Sequence, residues 1–471
     1  MRCHHPSSLV LVALIGLVAG GATGPALAAD TAASEPDDRS VLELTVYNQD
    51  LALIREVRRL DLPGGAFDLE LRGVPAKIRP QTLLVEVGGR TGLVIREQNY
   101  EFDLMSREKI LEKYVGREVA WIQEDGERVD GRLLGIAAGP VFEVDGEIVF
   151  EVPGRIALPR LPENLRARPT LVWRAETERA GEAELDVSYL TGGISWNADY
   201  VLQLDAAGEE ADLKGWVTVE NRSGTGYEGA GLQLVAGEIN QVRRAMRRGD
   251  MVMAEAKFAA GAPQVQEETL YDYHLYTVPW TTDLPDNSSK QVSLLEAAGI
   301  GVERRYTVEG GSHYFRGGPQ QDRQDVWVSY RFENREDDQL GLPLPAGVVR
   351  VYGQSEAGKR QLLGEDRIGH TPRNEQVELR VGKAFDLVAE RVRQDYRRVS
   401  DRVHQTTWEI TLRNRKEEGV TIEVLERVGG EWQILRSSVP HEKLSAQEIR
   451  FAVDVPADGE AVLTYTVQVT Y

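Results

Sequence analysis

Histidines are the side chains best suited to proton transfer or metal binding near neutral pH, and here their spacing argues against both roles. Two of the seven, His4 and His5, lie in an apolar N-terminal leader. The other five, His274, His313, His370, His404 and His441, are each more than thirty residues apart. There is no H-E-x-x-H or H-x-H run and no cysteine beside them, whereas zinc sites announce themselves by closely spaced ligands. No metal site and no cofactor are therefore expected. The closest grouping is GEDRIGH, with Glu365, Asp366 and His370, which reads as a polar turn before Pro372. Serine chemistry lacks its G-x-S-x-G elbow. With 75 acidic residues, no glycosidase pair stands out by spacing. ENREDDQ, residues 333–339, offers oxygens for calcium but not the glycine or alternation of a calcium loop, and reads as a solvated loop. No glycine-rich phosphate cradle follows a strand and opens a helix.

Four stretches remain as candidates. TGGISWNADYVLQL, residues 191–204, runs from two glycines into a strand. The glycines can take positive φ and turn the chain. Trp196 reads as a core anchor whose indole N–H needs a partner, and Asn197 and Asp199 as donors and acceptors for the turn's own backbone. Tyr200, Leu202 and Leu204 share one face. In YDYHLYTVPW, residues 271–280, the alternation puts Tyr271, Tyr273 and Leu275 on one face and Asp272, His274 and Tyr276 on the other. That pattern suits a recognition surface or a central strand packed on both sides. Lys290 opens an apolar strand, either partnering a carboxylate or snorkelling to solvent. RRAMRR would stripe Arg243, Arg244, Arg247 and Arg248 along a helix, to grip an acidic partner or the phosphates of an envelope lipid, or to solvate a linker. A catalytic reading would join Asp199, His274 and Lys290 in one hydrolase or glycan-active site.

The elements that would position these residues are strands almost everywhere. Period-two alternation recurs in LELTVYNQDLALIREV, AELDVSYL, VWVSYRFEN and TWEITLRN, with turns at LPGG, VDGE, NRSGTG and PADGE. Short alternating strands with frequent turns predict a mainly β protein of several β-sandwiches. One short helix is expected over SREKILEKYV, residues 106–115, with Ser106 as N-cap. The expected divisions are a flexible start over 29–40, an N-terminal β domain over 41–105, and the helix plus a small SH3-like barrel insert over 106–165. A central sandwich region over 166–385 and a C-terminal sandwich over 386–471 follow. Residues 241–268, rich in Ala, Arg, Glu and Met, read as a mobile loop or frayed helix. VLTYTVQVTY alternates to a terminal tyrosine, as outer-membrane barrel strands do, but a last sandwich strand explains it as well.

The leader has a basic Arg2, an apolar run from Leu9 to Val18 and an Ala26-Leu27-Ala28 site. These are the parts of a secretory signal peptide cleaved after Ala28. Such processing removes Cys3, the one cysteine, and leaves 443 of 471 residues, enough for about three domains. No later run is long enough for a transmembrane helix. The formal charge of −20 argues against nucleic acid and against docking on anionic lipid.

ISWNADYVLQL followed by LKGWVTVENRSGTGYEGAGLQLVAGEINQV resembles the bacterial family described as domain of unknown function 4139, distantly akin to mucoidy-inhibitor-like proteins. YHLYTV, SSKQVSLLEA, LPLPAGVVRVYGQ, LLGEDRIGHTP and ITLRNRKEEGVTIEVLE are similar to further segments of that pattern, and VYNQDLALIREVRRLDLPGG to the region preceding it. The resemblance implies an exported, mainly β protein and brings no catalytic residues. The expectation is a non-catalytic binding or scaffolding protein of the bacterial envelope, periplasmic or secreted. Its partner would be an envelope protein or peptide, or a glycan, met through strand edges, sandwich faces or the small barrel. The alternatives are an envelope hydrolase and an outer-membrane β-barrel.

Overall fold

The computed structural model describes residues 30–88, 92–101, 107–123, 125–137, 139–150, 154–160, 166, 168–237, 239–240, 266–311, 321–338, 340–355 and 357–471. The protein is mainly β, with one α-helix, Arg107–Tyr114, and six sheets among the described residues. Every sheet among the described residues is open, with two ends, so the outer-membrane barrel reading does not hold for them. The alternation of the last strand, Glu460–Thr470, instead sends Leu463, Tyr465, Val467 and Val469 into a sandwich core.

Three successive modules share one construction. In each, a strand ends at or just before an asparagine, the chain crosses to the facing sheet, and it later returns through a proline to pair with the first strand; in the third module Glu431–Ser437 revisits the first strand's sheet on the way. The first module has Glu210–Asn221 paired with Ser288–Gly301. The second has Trp327–Glu333 paired with Gln376–Lys383, and the third Val403–Asn414 paired with Glu460–Thr470. The asparagine clasps the corner. Asn221 Nδ2 donates to the carbonyls of Thr225, Leu284 and Pro285 at 2.9, 3.0 and 3.1 Å. Asn334 Nδ2 donates to Leu342 and Pro372, and Asn414 Nδ2 to Glu418, Val455 and Pro456. Each Oδ1 accepts a backbone N–H, from Ser223, Gly341 and Lys416. All three asparagines are fully buried. Carbonyls at a buried strand end have no ladder partner, and a primary amide has the two donors to satisfy them.

The strand after each asparagine pairs in parallel with an earlier one. Tyr227–Ala236 lies beside Arg39–Tyr47, Gly347–Gln354 beside Ile194–Leu204, and Val420–Arg427 beside Glu303–Glu309. These contacts fuse neighbouring modules. The first strand of module one and the crossing strand of module two share a five-stranded sheet, and the same linkage joins modules two and three in a six-stranded sheet. Residues 41–105 accordingly form no sheet of their own: Arg39–Tyr47 and Leu51–Leu62 sit inside the large sheet with Gly181–Thr191 and Tyr227–Ala236. The C-terminal core draws on Tyr306, Val308 and Val326 as well as residues from 387 onward, so it begins well before 386.

The segment expected to be flexible, 29–40, contains a strand, Asp30–Ser34, running parallel to Gly65–Arg72. It is held from beneath, because the buried Arg58 donates to the carbonyls of Ser34 and Arg72 at 3.1 and 3.0 Å. Arg58 also meets Glu56 at 3.0 Å, and Arg39 completes that ion-paired cluster.

The insert leaves and re-enters through neighbours, since Val94–Glu101 and Thr170–Thr177 pair with Glu101 opposite Thr170. Its five strands run in the order Glu147–Phe150, Val141–Val144, Arg128–Gly135, Glu118–Ile122, Arg155–Ala157, all antiparallel. The last strand returns beside the first, and among the described residues the ladder does not close. The helix buries Leu111 and Tyr114 against Val119, Trp121, Leu133 and Phe142. Ser106, its expected cap, lies outside the described residues.

Candidate functional site

The TGG turn is a corner between sheets. Gly181–Thr191 belongs to the large sheet and Ile194–Leu204 to the five-stranded sheet. Gly193 makes the corner at φ 82°, and a Cβ there would lie 2.5 Å from the Arg222 carbonyl. Its N–H donates to Asp50 Oδ1 at 2.9 Å, so the polar cap comes from a distant loop rather than from Asn197 or Asp199. Trp196 is a core anchor, 1% exposed, with Tyr200, Leu202 and Leu204 buried beside it. The expected partner for its indole N–H is missing among the described residues. Asn197 is exposed. Asp199 turns away from the corner and pairs with Arg350 at 2.9 Å on the parallel neighbour strand.

The proposed catalytic trio is dispersed. Asp199 stands opposite Trp216 and Lys290 opposite Val219, three positions apart on one strand, so the two project from opposite faces of the same sheet. His274 is in a different sheet, opposite Ala236. Lys290 Nζ donates to Thr282 Oγ1 at 2.7 Å, which is neither of the expected roles. His274 Nδ1 lies 2.8 Å from Glu267 Oε1. Tyr273 packs where a side chain on Gly237 would sit. The strand expected from Tyr271 begins two residues later: Tyr271 takes φ 54° in a tight turn and is 91% exposed. Gln266–Leu270 pairs with Tyr273–Thr277, so residues 266–268 are strand rather than loop. Arg243, Arg244, Arg247 and Arg248 lie outside the described residues. GEDRIGH is not the expected polar turn: Glu365 and Asp366 lie on the strand Arg360–Ile368, where Asp366 accepts the Arg380 N–H, and of the three only His370, which accepts the Ala346 N–H at 3.2 Å, lies beyond it. No group of three metal-ligating side chains occurs among the described residues.

The insert presents the surface best suited to a partner. Glu147–Phe150 is the end strand of its sheet. Phe142 faces the insert core and stands opposite Val149, so Ile148 and Phe150 project from the other face. They are 63% and 66% exposed. The exposed Leu134 follows the core residue Leu133 on the next strand but one, beside a register shift. Across the same face run Glu143, Arg132 and Glu118, aligned strand to strand. With Arg128, Asp130 and Asp145 they line an open concavity. Arg128 is spent on Asp130 at 3.0 Å. The face is thus apolar at one edge and acidic on balance beyond it. An end strand carries unpaired backbone N–H and C=O groups, which template a further strand. Sequence reasoning named strand edges in general and missed Ile148 and Phe150. The signal was present: IVF on a four-residue strand puts apolar side chains on both faces, more than a one-sided core can bury.

No protein-family model matches the chain, and no curated protein matches it. The resemblance to the domain of unknown function 4139 family therefore rests on the segments quoted above.

Proposed function

We propose that the chain is an exported, non-catalytic binding or scaffolding protein of the bacterial envelope, and that the insert is its recognition module. The observation that carries the reading is the end strand Glu147–Phe150 with Ile148 and Phe150 turned to solvent. Strand addition supplies affinity through main-chain hydrogen bonds and specificity through alternate side chains. The complementary ligand is an extended peptide of an envelope protein, with apolar residues at alternate positions to cover Ile148 and Phe150. A basic residue beyond them would meet Glu143 and Glu118. The dispersal of Asp199, His274 and Lys290 removes the constellation on which the hydrolase reading stood.

The test is a photocrosslinking residue placed in cells at Phe150, and separately at Phe385, an exposed side chain far along the chain. A discrete protein adduct from position 150 alone, lost in Ile148→Asp, is the expected result. Equal labelling from both positions refutes the recognition module. Export is read independently: the mature protein should start at Ala29 and be released by osmotic shock. Retention of the leader in the cytoplasmic fraction refutes that part.

A further inference from the structure

The C-terminal sheet carries a second surface of opposite chemistry. Leu387–Arg398 and Val403–Asn414 form a hairpin. Residues 394–402, at its tip, are all exposed. Between 393 and 402 the sequence has four arginines and two aspartates, in a chain of net charge −20. Arg398 is committed to Asp401 at 2.7 Å. Arg397 and Arg402 have no ion pair among the described residues, and Val399 at the turn is 48% exposed. The hairpin is also stiffened. Tyr396 stacks on His404 with ring centroids 5.9 Å apart, and its hydroxyl lies 2.7 Å from Nδ1. Tyr471 closes edge-on against His404 at 5.9 Å, and Arg393 lies 5.5 Å over the Tyr396 ring. The aromatic faces are thereby occupied within the hairpin, which disfavours stacking of a sugar on them. What is left facing outward is cationic, with one apolar residue at the turn.

We propose that this hairpin is a preorganised docking element for an acidic protein segment. A rigid element loses little side-chain and loop entropy on binding, and Arg with Tyr is a composition enriched where interfaces are strong. Electrostatic complementarity speeds encounter and selects the partner. The site is separate from the insert and does not depend on how the insert is read.

The test uses the full mature chain and a fluorescein-labelled oligo-glutamate peptide, followed by anisotropy at low and physiological salt. Binding that weakens with salt, and by about tenfold or more in Arg397→Glu/Arg402→Glu, is the expected result. The same reversal at Arg373, another exposed arginine, should leave binding within about twofold. Sedimentation of the unliganded chain adds an arm: salt-sensitive self-association lost in the double variant makes the acidic partner a second copy and supports the proposal. No binding by the wild type at low salt overturns it, as does equal loss from Arg373→Glu. Binding to phosphatidylglycerol vesicles without binding to the peptide overturns it in favour of lipid. Because both arginines are exposed, thermal melting of the double variant should match the wild type, so lost binding is not lost folding.

Discussion

Arg391 and Glu426 offer the sharpest energetic test of how the C-terminal core is built. Both side chains have no solvent exposure, and they are joined by a short charged contact. Arg391 also donates to Gln324 at 3.1 Å and to the Tyr465 hydroxyl at 3.3 Å, and lies 5.2 Å over the Trp408 ring. Burial works against its charge, but Glu426 and Tyr465 outweigh this and hold the guanidinium pKa above its ordinary value. Removing the carboxylate cannot be relieved by deprotonation, so Glu426→Ala leaves a charge in the core. The expected cost is roughly 3–5 kcal/mol. The pair itself stabilises far less than that figure, because each ion had to be desolvated to form it. Arg391→Met combined with Glu426→Leu should therefore cost only about 0–2 kcal/mol, most of it from Gln324 and Tyr465 losing a partner. A chain with three hydrophobic cores does not unfold in one step, so a global midpoint is the wrong readout. Hydrogen exchange in Leu387–Arg398 and Val420–Arg427 reports the local free energy. A loss of about 4 kcal/mol accelerates exchange there roughly a thousandfold. Exchange that changes less than about fivefold in Glu426→Ala, or a double variant as damaged as the single one, would refute the reasoning.

Gly193→Ala should destabilise the corner between sheets by roughly 2–4 kcal/mol, through a left-handed backbone and a clash with the Arg222 carbonyl, read as faster hydrogen exchange in Gly181–Thr191 and Ile194–Leu204. Asn414→Ala strips three carbonyls of their donor and should cost about 2–4 kcal/mol, read as local hydrogen exchange near 414–420 and 455–460. Asp199→Asn, at a half-exposed ion pair, should change stability by less than about 1 kcal/mol. Alkaline pH should unfold the chain. Burial raises the pKa of Tyr189, Tyr200, Tyr227, Tyr276 and Tyr465 above the ordinary 10.0, so only the unfolded state loses those protons as pH climbs past 10. Stability is therefore undiminished by these groups below about pH 10 and falls above it. Absorbance at an early stage of titration should show them protonated, followed by cooperative release; gradual ionisation without unfolding would contradict this.

The period of two in segments such as TWEITLRN made the strands legible, and with them the buried faces of Trp408, Ile410 and Leu412. It could not show which strands are neighbours. Alternation records which face of a strand is apolar, while pairing depends on contacts between residues far apart in the chain. The parallel pairings of Tyr227–Ala236 with Arg39–Tyr47, and of Val420–Arg427 with Glu303–Glu309, are such contacts, and each crosses an expected boundary. The three clasps had a faint trace in ENRSG, ENRED and RNRKE, each following a strand and each answered later by a proline. Examining strands singly hides a repeat of this kind, whose spacing is irregular. For the candidate sites, the polar residues of TGGISWNADY drew attention because polar side chains next to glycines often mark function. Here they follow from the local needs of a corner and a surface ion pair. Ile148 and Phe150 drew none, since apolar residues on a strand are ordinarily assigned to a core.

The repeated construction separates what holds the protein together from what is available to a partner. Within a module, the asparagine clasp closes the corner and the two sheets bury each other's apolar faces, so its polar and apolar groups are largely answered from inside. The insert and the tip of the 387–414 hairpin stand outside that plan. The insert hangs between two adjacent strands of a separate sheet, and residues 394–402 project beyond the buried part of theirs. Ile148 and Phe150 are not needed by the insert core, which closes around Val119, Trp121, Leu133 and Phe142. Arg397 and Arg402 are not needed by the C-terminal core, whose buried charge is already balanced by Arg391 and Glu426. Side chains that fold does not require are those free to serve binding. The two sets differ in kind, apolar with an acidic margin in one and cationic in the other. A single ligand chemistry does not suit both. On the two proposals above, that difference fits two dissimilar partners better than a single site presented twice.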